Sequence, residues 1–183
     1  CITTKTAAKA GLKVCLMDRK RREDIGEKIC GDAIGKHHLD VLGLEYPKGE
    51  ELERRISGVK IYSPDLKTVF KIKGERVWRG GFILNRRLFG QRLLRQATDA
   101  GATLLDSTHA IDPIFKDGFV VGVSVRNVKT GVKTQLQAKV VVDASGYTAV
   151  LRSKLPPEMG IEQSIRGEDV EACYREIREI KEP

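Results

Sequence analysis

Residues 6–20 read Thr6-Ala7-Ala8-Lys9-Ala10-Gly11-Leu12-Lys13-Val14-Cys15-Leu16-Met17-Asp18-Arg19-Lys20, and the order of their types decides the fold class. Residues 6–10 are rich in alanine and lysine, which form helix readily, and Gly11 stands where a helix C-cap glycine belongs. Residues 12–17 read as a strand that stops at the charged Asp18-Arg19-Lys20. Helix, glycine, strand and acidic residue in that order make the second half of a βαβ unit. The expectation is therefore an α/β domain built on a parallel sheet.

Working outward, a basic stretch over 19–28 leads into Ile29-Cys30-Gly31-Asp32-Ala33-Ile34-Gly35 and then a short amphipathic helix ending near Leu42-Gly43. Residues 56–73 alternate in strand fashion around Ser63-Pro64-Asp65, which predicts a hairpin. Leu88, Phe89, Leu93, Leu94 and Ala97 fall on one face of a 3.6-residue period, and Gly101 closes that helix. Strands are expected over 103–106, 110–115, 119–127 and 134–142, with turns at Lys116-Asp117-Gly118 and Lys129-Thr130-Gly131. The last ends in the continuous run 138–142, as a strand buried on both faces would, and passes directly into Asp143-Ala144-Ser145-Gly146. Beyond Pro156-Pro157 the chain is charged, and 169–180 reads as an exposed amphipathic helix.

At 183 residues the chain can hold one domain with a real core, burying roughly 70% of its unfolded surface. Its apolar runs fall far short of the roughly 20 residues of a membrane span. The balance of 33 Lys+Arg against 25 Asp+Glu gives +8, which attracts anions without choosing among them. Aromatics are only 5% of the chain and are not interleaved with the basic clusters, so stacking on single-stranded nucleic acid is not expected. Cysteines at 1, 15, 30 and 173 and histidines at 37, 38 and 109 show no metal-ligand spacing. Free thiols in a reducing cytoplasm are the simplest reading, and no metal is expected.

Taken together, four segments resemble the FAD-dependent superfamily of aromatic hydroxylases, flavin-dependent halogenases and geranylgeranyl reductases, and within it the reductases that saturate isoprenoid chains of archaeal lipids. They are residues 7–20, Gly26-Glu27-Lys28-Ile29-Cys30-Gly31-Asp32, Asn85-Arg86-Arg87-Leu88-Phe89, and Val141-Val142-Asp143-Ala144-Ser145-Gly146. The resemblance implies a Rossmann-like FAD-binding domain over 1–155 with an added antiparallel β segment, and the start of a substrate-binding domain over 156–183. The family opens on a G-x-G-x-x-G turn that admits a pyrophosphate. Counting back from Gly11 places its last glycine just before Cys1, so the chain is expected to be an internal fragment that binds FAD poorly alone.

Asp18, ending the strand, can accept both hydroxyls of an adenosine ribose; its plain alternative is a solvated carboxylate beside Arg19 or Lys20. Arg19 would lie over the adenine or its phosphates, or be a surface arginine. The resemblance puts Cys30, Gly31 and Asp32 beside the isoalloxazine, with Cys30 the candidate catalytic residue; the alternative is a buried structural thiol. Arg86 opens a helix, where a cation opposes the macrodipole unless an anion compensates it, and a cofactor phosphate would do so. Ala110, Asp143 and Gly146 complete the cofactor set, Gly146 serving equally as a glycine that a strand-to-helix turn demands. Ser145 stands where hydroxylases carry an acid, which argues against hydroxylation. The implied activity is a prenyl reductase using FAD on an isoprenoid lipid, with reduced ferredoxin or NAD(P)H as donor and peripheral contact with a membrane. A halogenase, a monooxygenase and a non-enzymatic anion-binding protein are the alternatives.

Overall fold

The computed structural model describes residues 1–73, 80–172, 174 and 176. In chain order these form helix α1 (Ile2–Lys9), strands β1 (Cys15–Met17) and β2 (Ala33–Gly35), helix α2 (Lys36–Val41), strands β3 (Leu52–Ile56), β4 (Gly58–Tyr62), β5 (Val69–Lys73) and β6 (Gly81–Leu84), helix α3 (Arg86–Asp99), and strands β7 (Thr103–Leu105), β8 (Thr108–Lys116), β9 (Phe119–Asn127) and β10 (Lys133–Gln137). The chain divides into two compact units. The first combines Cys1–Ile25 with Leu94–Ala172, and the second contains Gly26–Leu93.

In the first unit α1 ends as its sequence dictates. Gly11 adopts φ +81°, Gly11 N–H donates to the Ala8 carbonyl at 2.9 Å and Leu12 N–H to the Ala7 carbonyl at 3.2 Å, a Schellman closure that needs a residue with positive φ. The chain turns into β1, which runs parallel to β7 with Cys15, Leu16 and Met17 opposite Thr103, Leu104 and Leu105. The strand is shorter than the expected 12–17, because pairing begins only where Thr103 N–H reaches the Val14 carbonyl at 2.9 Å. Leu12 is left 62% exposed.

β8, β9 and β10 form an antiparallel sheet with β9 in the middle. The β8–β9 turn places Asp117 at φ +51° and Gly118 at φ +79°, the two positive φ values of a tight type I′ hairpin. Val123 and Val125 of β9 pack with Leu151 into a core joined by Met17, Ala110, Leu136, Val141 and Val150. The strand expected over 134–142 stops at Gln137. After Ala138 N–H bonds the Val121 carbonyl, residues 139–142 have no ladder partner among the described residues, and Val140 and Val142 stand 76% and 62% exposed. A β-branched run has strand preference, but a strand requires a neighbour.

The second unit holds a three-stranded antiparallel sheet in the order β2-β6-β3 and the separate β4–β5 hairpin. Phe82 and Leu84 of β6 and Leu39 of α2 are buried at its core. α3 starts on Asn85, whose Oδ1 accepts the Leu88 N–H at 3.1 Å, satisfying one free donor of the first turn. Phe89, Leu94 and Ala97 are buried and Gly101 follows at φ +100°, as the period predicts. Arg92 makes a two-pronged ion pair with Glu51, Nε to Oε2 and Nη2 to Oε1 both at 2.8 Å, and lies over the Phe89 ring. The hairpin expected over 56–73 is present, with Tyr62 opposite Val69 flanking the turn.

At the C-terminal end the expected helix over 169–180 does not form where it can be seen. Asp169 closes a short 3-10 turn, Val170 is extended at φ −120°, and residues 170–172, 174 and 176 are irregular. The remainder of that stretch, with Cys173, lies outside the described residues. Among the described residues, no helix is long and apolar enough to cross a membrane.

Candidate functional site

β1 and β7 run in the same direction, so both deliver their carboxyl ends to one edge, where ligands of open α/β sheets bind. Asp18 follows β1 directly and is half-buried; its Oδ1 accepts the Lys20 N–H at 2.8 Å, while Arg19 is exposed. The edge is tied across the two strand ends. Asp18 N–H donates to the Leu105 carbonyl at 3.1 Å, Thr108 N–H to the Asp18 carbonyl at 2.8 Å and Ser107 N–H to the Lys20 carbonyl at 2.8 Å. Asp106 accepts the Arg22 N–H at 3.1 Å. Buried Ser107 sits at φ +48°, a conformation unusual for a residue with a Cβ. The Asp18 backbone is therefore held by β7 and the loop after it, and its carboxylate is set at the strand end in a fixed turn.

Asp143 organises the second loop of this unit. Its Oδ1 accepts the Ser145 N–H at 2.9 Å, and its Oδ2 accepts those of Leu151 at 3.0 Å and Arg152 at 2.9 Å. Ser145 Oγ in turn accepts the Val150 N–H at 2.8 Å. Partial burial pushes the Asp143 carboxyl up, but hydrogen bonds from Ser145, Arg152 and Leu151 outweigh it and hold the group below the ordinary aspartate range. Gly146 takes φ +75° and nothing lies within 4 Å of where its Cβ would stand. Ala110 packs against the β9 core beside a bulge in β8, where Lys154 Nζ donates to the Ile111 carbonyl at 2.6 Å and the Asp112 carboxylate at 2.7 Å.

In the second unit Cys30 and Gly31 are exposed on the segment entering β2, and Asp32 is buried at φ +57°. The Asp32 carbonyl accepts the Leu84 N–H at 3.0 Å, which anchors the segment to β6. Space is open around Gly31, with no atom within 4 Å of a Cβ built there. Arg86 is half-buried at the first turn of α3. Cys30, Gly31, Asp32 and Arg86 thus share the second unit, and Asp18, Arg19, Ala110, Asp143 and Gly146 the first.

Sequence reasoning missed one contact that sets this geometry. Gly26, at φ +109°, lies on the backbone of α3 so closely that a Cβ on Gly90 would come 2.3 Å from the Gly26 Cα. The signal was available, because a glycine inside an otherwise strong helix is unfavourable by about 1 kcal/mol against alanine and invites a packing explanation. Asp106 and Ser107 were passed over too, and nothing in their sequence context sets them apart from a loop. An open depression of about 370 Å³ beside β9 and β10 is lined by Val125, Asn127, Thr134 and Leu136 among others, and none of the candidate residues reaches it.

No family model matches the chain. The digeranylgeranylglycerophospholipid reductase of Sulfolobus acidocaldarius is 46% identical over 175 residues, 96% of this chain and 38% of that protein. The protein of the same name from Methanothrix thermoacetophila is 30% identical over 94% of this chain and 42% of its own length. The chain thus spans about two fifths of the curated relatives it matches. Among solved structures, a geranylgeranyl bacteriochlorophyll reductase-like protein from Thermoplasma acidophilum superposes with a TM-score of 0.70 at 26% identity, over 80% of this chain and 36% of that one. The myxobacterial chondrochloren halogenase, a variant of the FAD-dependent halogenases, gives 0.63 at 20% identity over 82% of this chain and 36% of its own, a likeness of fold. The fold is that of this Rossmann-like superfamily.

Proposed function

We propose that this chain belongs to the geranylgeranyl reductase family and supplies most of the FAD-holding part of an enzyme that saturates isoprenoid double bonds of membrane lipids. The observation that carries the reading is the 46% identity to the Sulfolobus acidocaldarius reductase across nearly the whole chain. Halogenases share the fold at 20% identity, which favours no halogenation chemistry here.

The residues present fit the cofactor. Asp18, presented at a parallel strand end with one oxygen committed to its own turn, would receive the adenosine ribose hydroxyls, with Arg19 beside the adenine or its phosphates. Arg86 at the first turn of α3 would meet a cofactor phosphate. Gly31 of the second unit and, separately, Gly146 of the first, each with open space where a side chain would stand, would let backbone approach a cofactor, Asp32 belonging with the one and Ala110 and the loop that Asp143 ties with the other. Cys30, exposed at the head of that segment, would face the reacting region. FAD, if bound and reduced, would supply a hydride for one carbon of the alkene while a proton completes the other. The protein's part is orientation and exclusion of water from the site. On this reading residues 1–155 belong to the cofactor domain and 156–183 begin the substrate domain.

The test is anaerobic. The intact enzyme given reduced flavin and a geranylgeranyl lipid should yield products heavier by two hydrogens for each alkene saturated. Product that forms only when oxygen is admitted, carrying added oxygen or halogen, would sink the reductase reading.

A further inference from the structure

We infer that Asp106 is a positioning residue for the adenosine end of the cofactor, acting through Asp18 by a chain of hydrogen bonds at the edge where β1 and β7 end. Asp18 Oδ1 accepts the Lys20 N–H at 2.8 Å. The Lys20 carbonyl accepts the Ser107 N–H at 2.8 Å, Ser107 Oγ donates to Asp106 Oδ2 at 3.1 Å, and the same oxygen accepts the Arg22 N–H at 3.1 Å. The Asp106 carboxylate thus holds the turn after β1 at two points, at Lys20 through Ser107 and at Arg22 directly. Asp106 is itself braced, because Thr108 Oγ1 donates to its carbonyl at 2.9 Å while the Thr108 N–H reaches the Asp18 carbonyl at 2.8 Å. A carboxylate is planar, so the bond that fixes one Asp18 oxygen also sets the direction of the other.

Ser107 marks this loop as held under strain. It is 4% exposed and sits at φ +48°, where a residue with a Cβ is unfavourable. Three bonds keep it there: its N–H to Lys20, its carbonyl from the Val128 N–H at 2.7 Å, and its hydroxyl to Asp106. Such conformations persist only where the surroundings over-determine them, and they gather at functional sites. Glycine would adopt the same φ without strain. What serine adds is the hydroxyl on Asp106.

A ligand that needs the Asp18 carboxylate in this direction binds only those molecules whose 18–22 turn is in place, and its apparent dissociation constant rises as that fraction falls. Asp106 secures the turn before the cofactor arrives, so binding carries little ordering cost. The sign of the effect is diagnostic. FAD carries an anionic pyrophosphate, so deleting a carboxylate that acted by charge alone would favour binding, whereas deleting one that positions Asp18 weakens it. This role rests on the proposed reading of Asp18 as the ribose acceptor and deepens it.

The experiment titrates the intact enzyme, stripped of flavin, with FAD, ADP and FMN. Asp106→Ala should weaken FAD and ADP about fivefold each, leave FMN unchanged, and speed hydrogen exchange at the Arg22 N–H. Asp106→Asn, which keeps an oxygen for both bonds, should bind as the parent does. Ser107→Gly loses the hydroxyl but relieves the positive φ, so it should melt with the parent and still bind FAD about threefold more weakly. Because Asp106 acts through Asp18, the double variant Asp18→Ala with Asp106→Ala should bind FAD no worse than Asp18→Ala alone; losses that multiply would overturn the inference. FAD affinity lowered by Asp18→Ala but untouched by Asp106→Ala and Ser107→Gly would overturn it as well, leaving the adenosine site standing. Affinity that Asp18→Ala does not lower would remove that site and the positioning role together.

Discussion

Replacing Gly90 by alanine tests the contact between Gly26 and α3. In a helix interior the change is ordinarily favourable by about 0.8–1 kcal/mol, since alanine has the higher propensity. Here the new Cβ would stand 2.3 Å from the Gly26 Cα, 3.3 Å from its nitrogen and 3.5 Å from its carbonyl carbon. The obstacle is backbone, which cannot rotate aside as a side chain end can, so relief requires moving the 26–32 segment or the helix by about 1 Å or more. Overpacking of that kind costs about 1–3 kcal/mol, and at this separation the upper half of the range applies. The difference leaves a net loss of about 1–2 kcal/mol, a fall in melting temperature of about 2–8 °C for a chain of this size. Circular dichroism melts of Gly90→Ala against the parent measure it. Gly167→Ala is the control, because no atom lies within 4 Å of its Cβ position and it should melt with the parent. A Gly90→Ala protein that melts at or above the parent temperature would refute the contact.

Asp143→Ala removes the acceptor of three backbone N–H groups and should raise hydrogen exchange at Leu151 and Arg152, with a stability loss of about 1 kcal/mol. Because the folded carboxyl lies below its ordinary value, that stabilisation is full above the ordinary aspartate range and is lost as pH falls through the lower folded value; exchange of the loop should follow that course, and a flat response would contradict it. Asp18→Ala in the intact enzyme should weaken FAD binding by about 1.5–3 kcal/mol, read by fluorescence titration, with the apo melting point nearly unchanged; an equal fall in both would make the residue structural. Gly31→Ala has room for its methyl group, so it should leave apo stability alone and lower FAD affinity, and unaltered affinity would remove the segment from the cofactor site. Cys30, being exposed, should be alkylated readily in the apo protein and protected by FAD, and alkylation that FAD leaves unchanged would take the residue out of the cofactor site.

Local rules made much of this fold legible in the chain. Gly11 and Gly101 close their helices at positive φ, Asp117-Gly118 makes a hairpin turn, and the Ser63-Pro64-Asp65 turn with its flanking alternation makes another, because each depends on a few neighbouring residues. The misses are non-local. Residues 139–142 have the composition of a buried strand, yet strand formation depends on a partner that composition does not specify. At the candidate site, Asp18 stood out because an acid at a strand end is chemically conspicuous, and the Asp143 loop stood out through the family resemblance of residues 141–146. The cross-strand ties that hold Asp18 come from Leu105 and Thr108, about ninety positions further along, and only the parallel β1–β7 register brings them there.

That register also bears on how the protein is made. The ladder joins Cys15 to Thr103, and all of Gly26–Leu93 is threaded between the two halves of the first unit. Synthesis presents β1 long before β7 exists, so its backbone groups must wait in water while the intervening chain emerges. Closing so long a loop from a disordered state is entropically demanding and slow. Folding of the inserted unit first, around Phe82, Leu84 and Leu39, would replace most of that loop by a structured body and shorten the effective distance between the waiting halves. Nascent chains stalled before residue 106 are then the species with unpaired strand edges, and the ones with the strongest need of a chaperone.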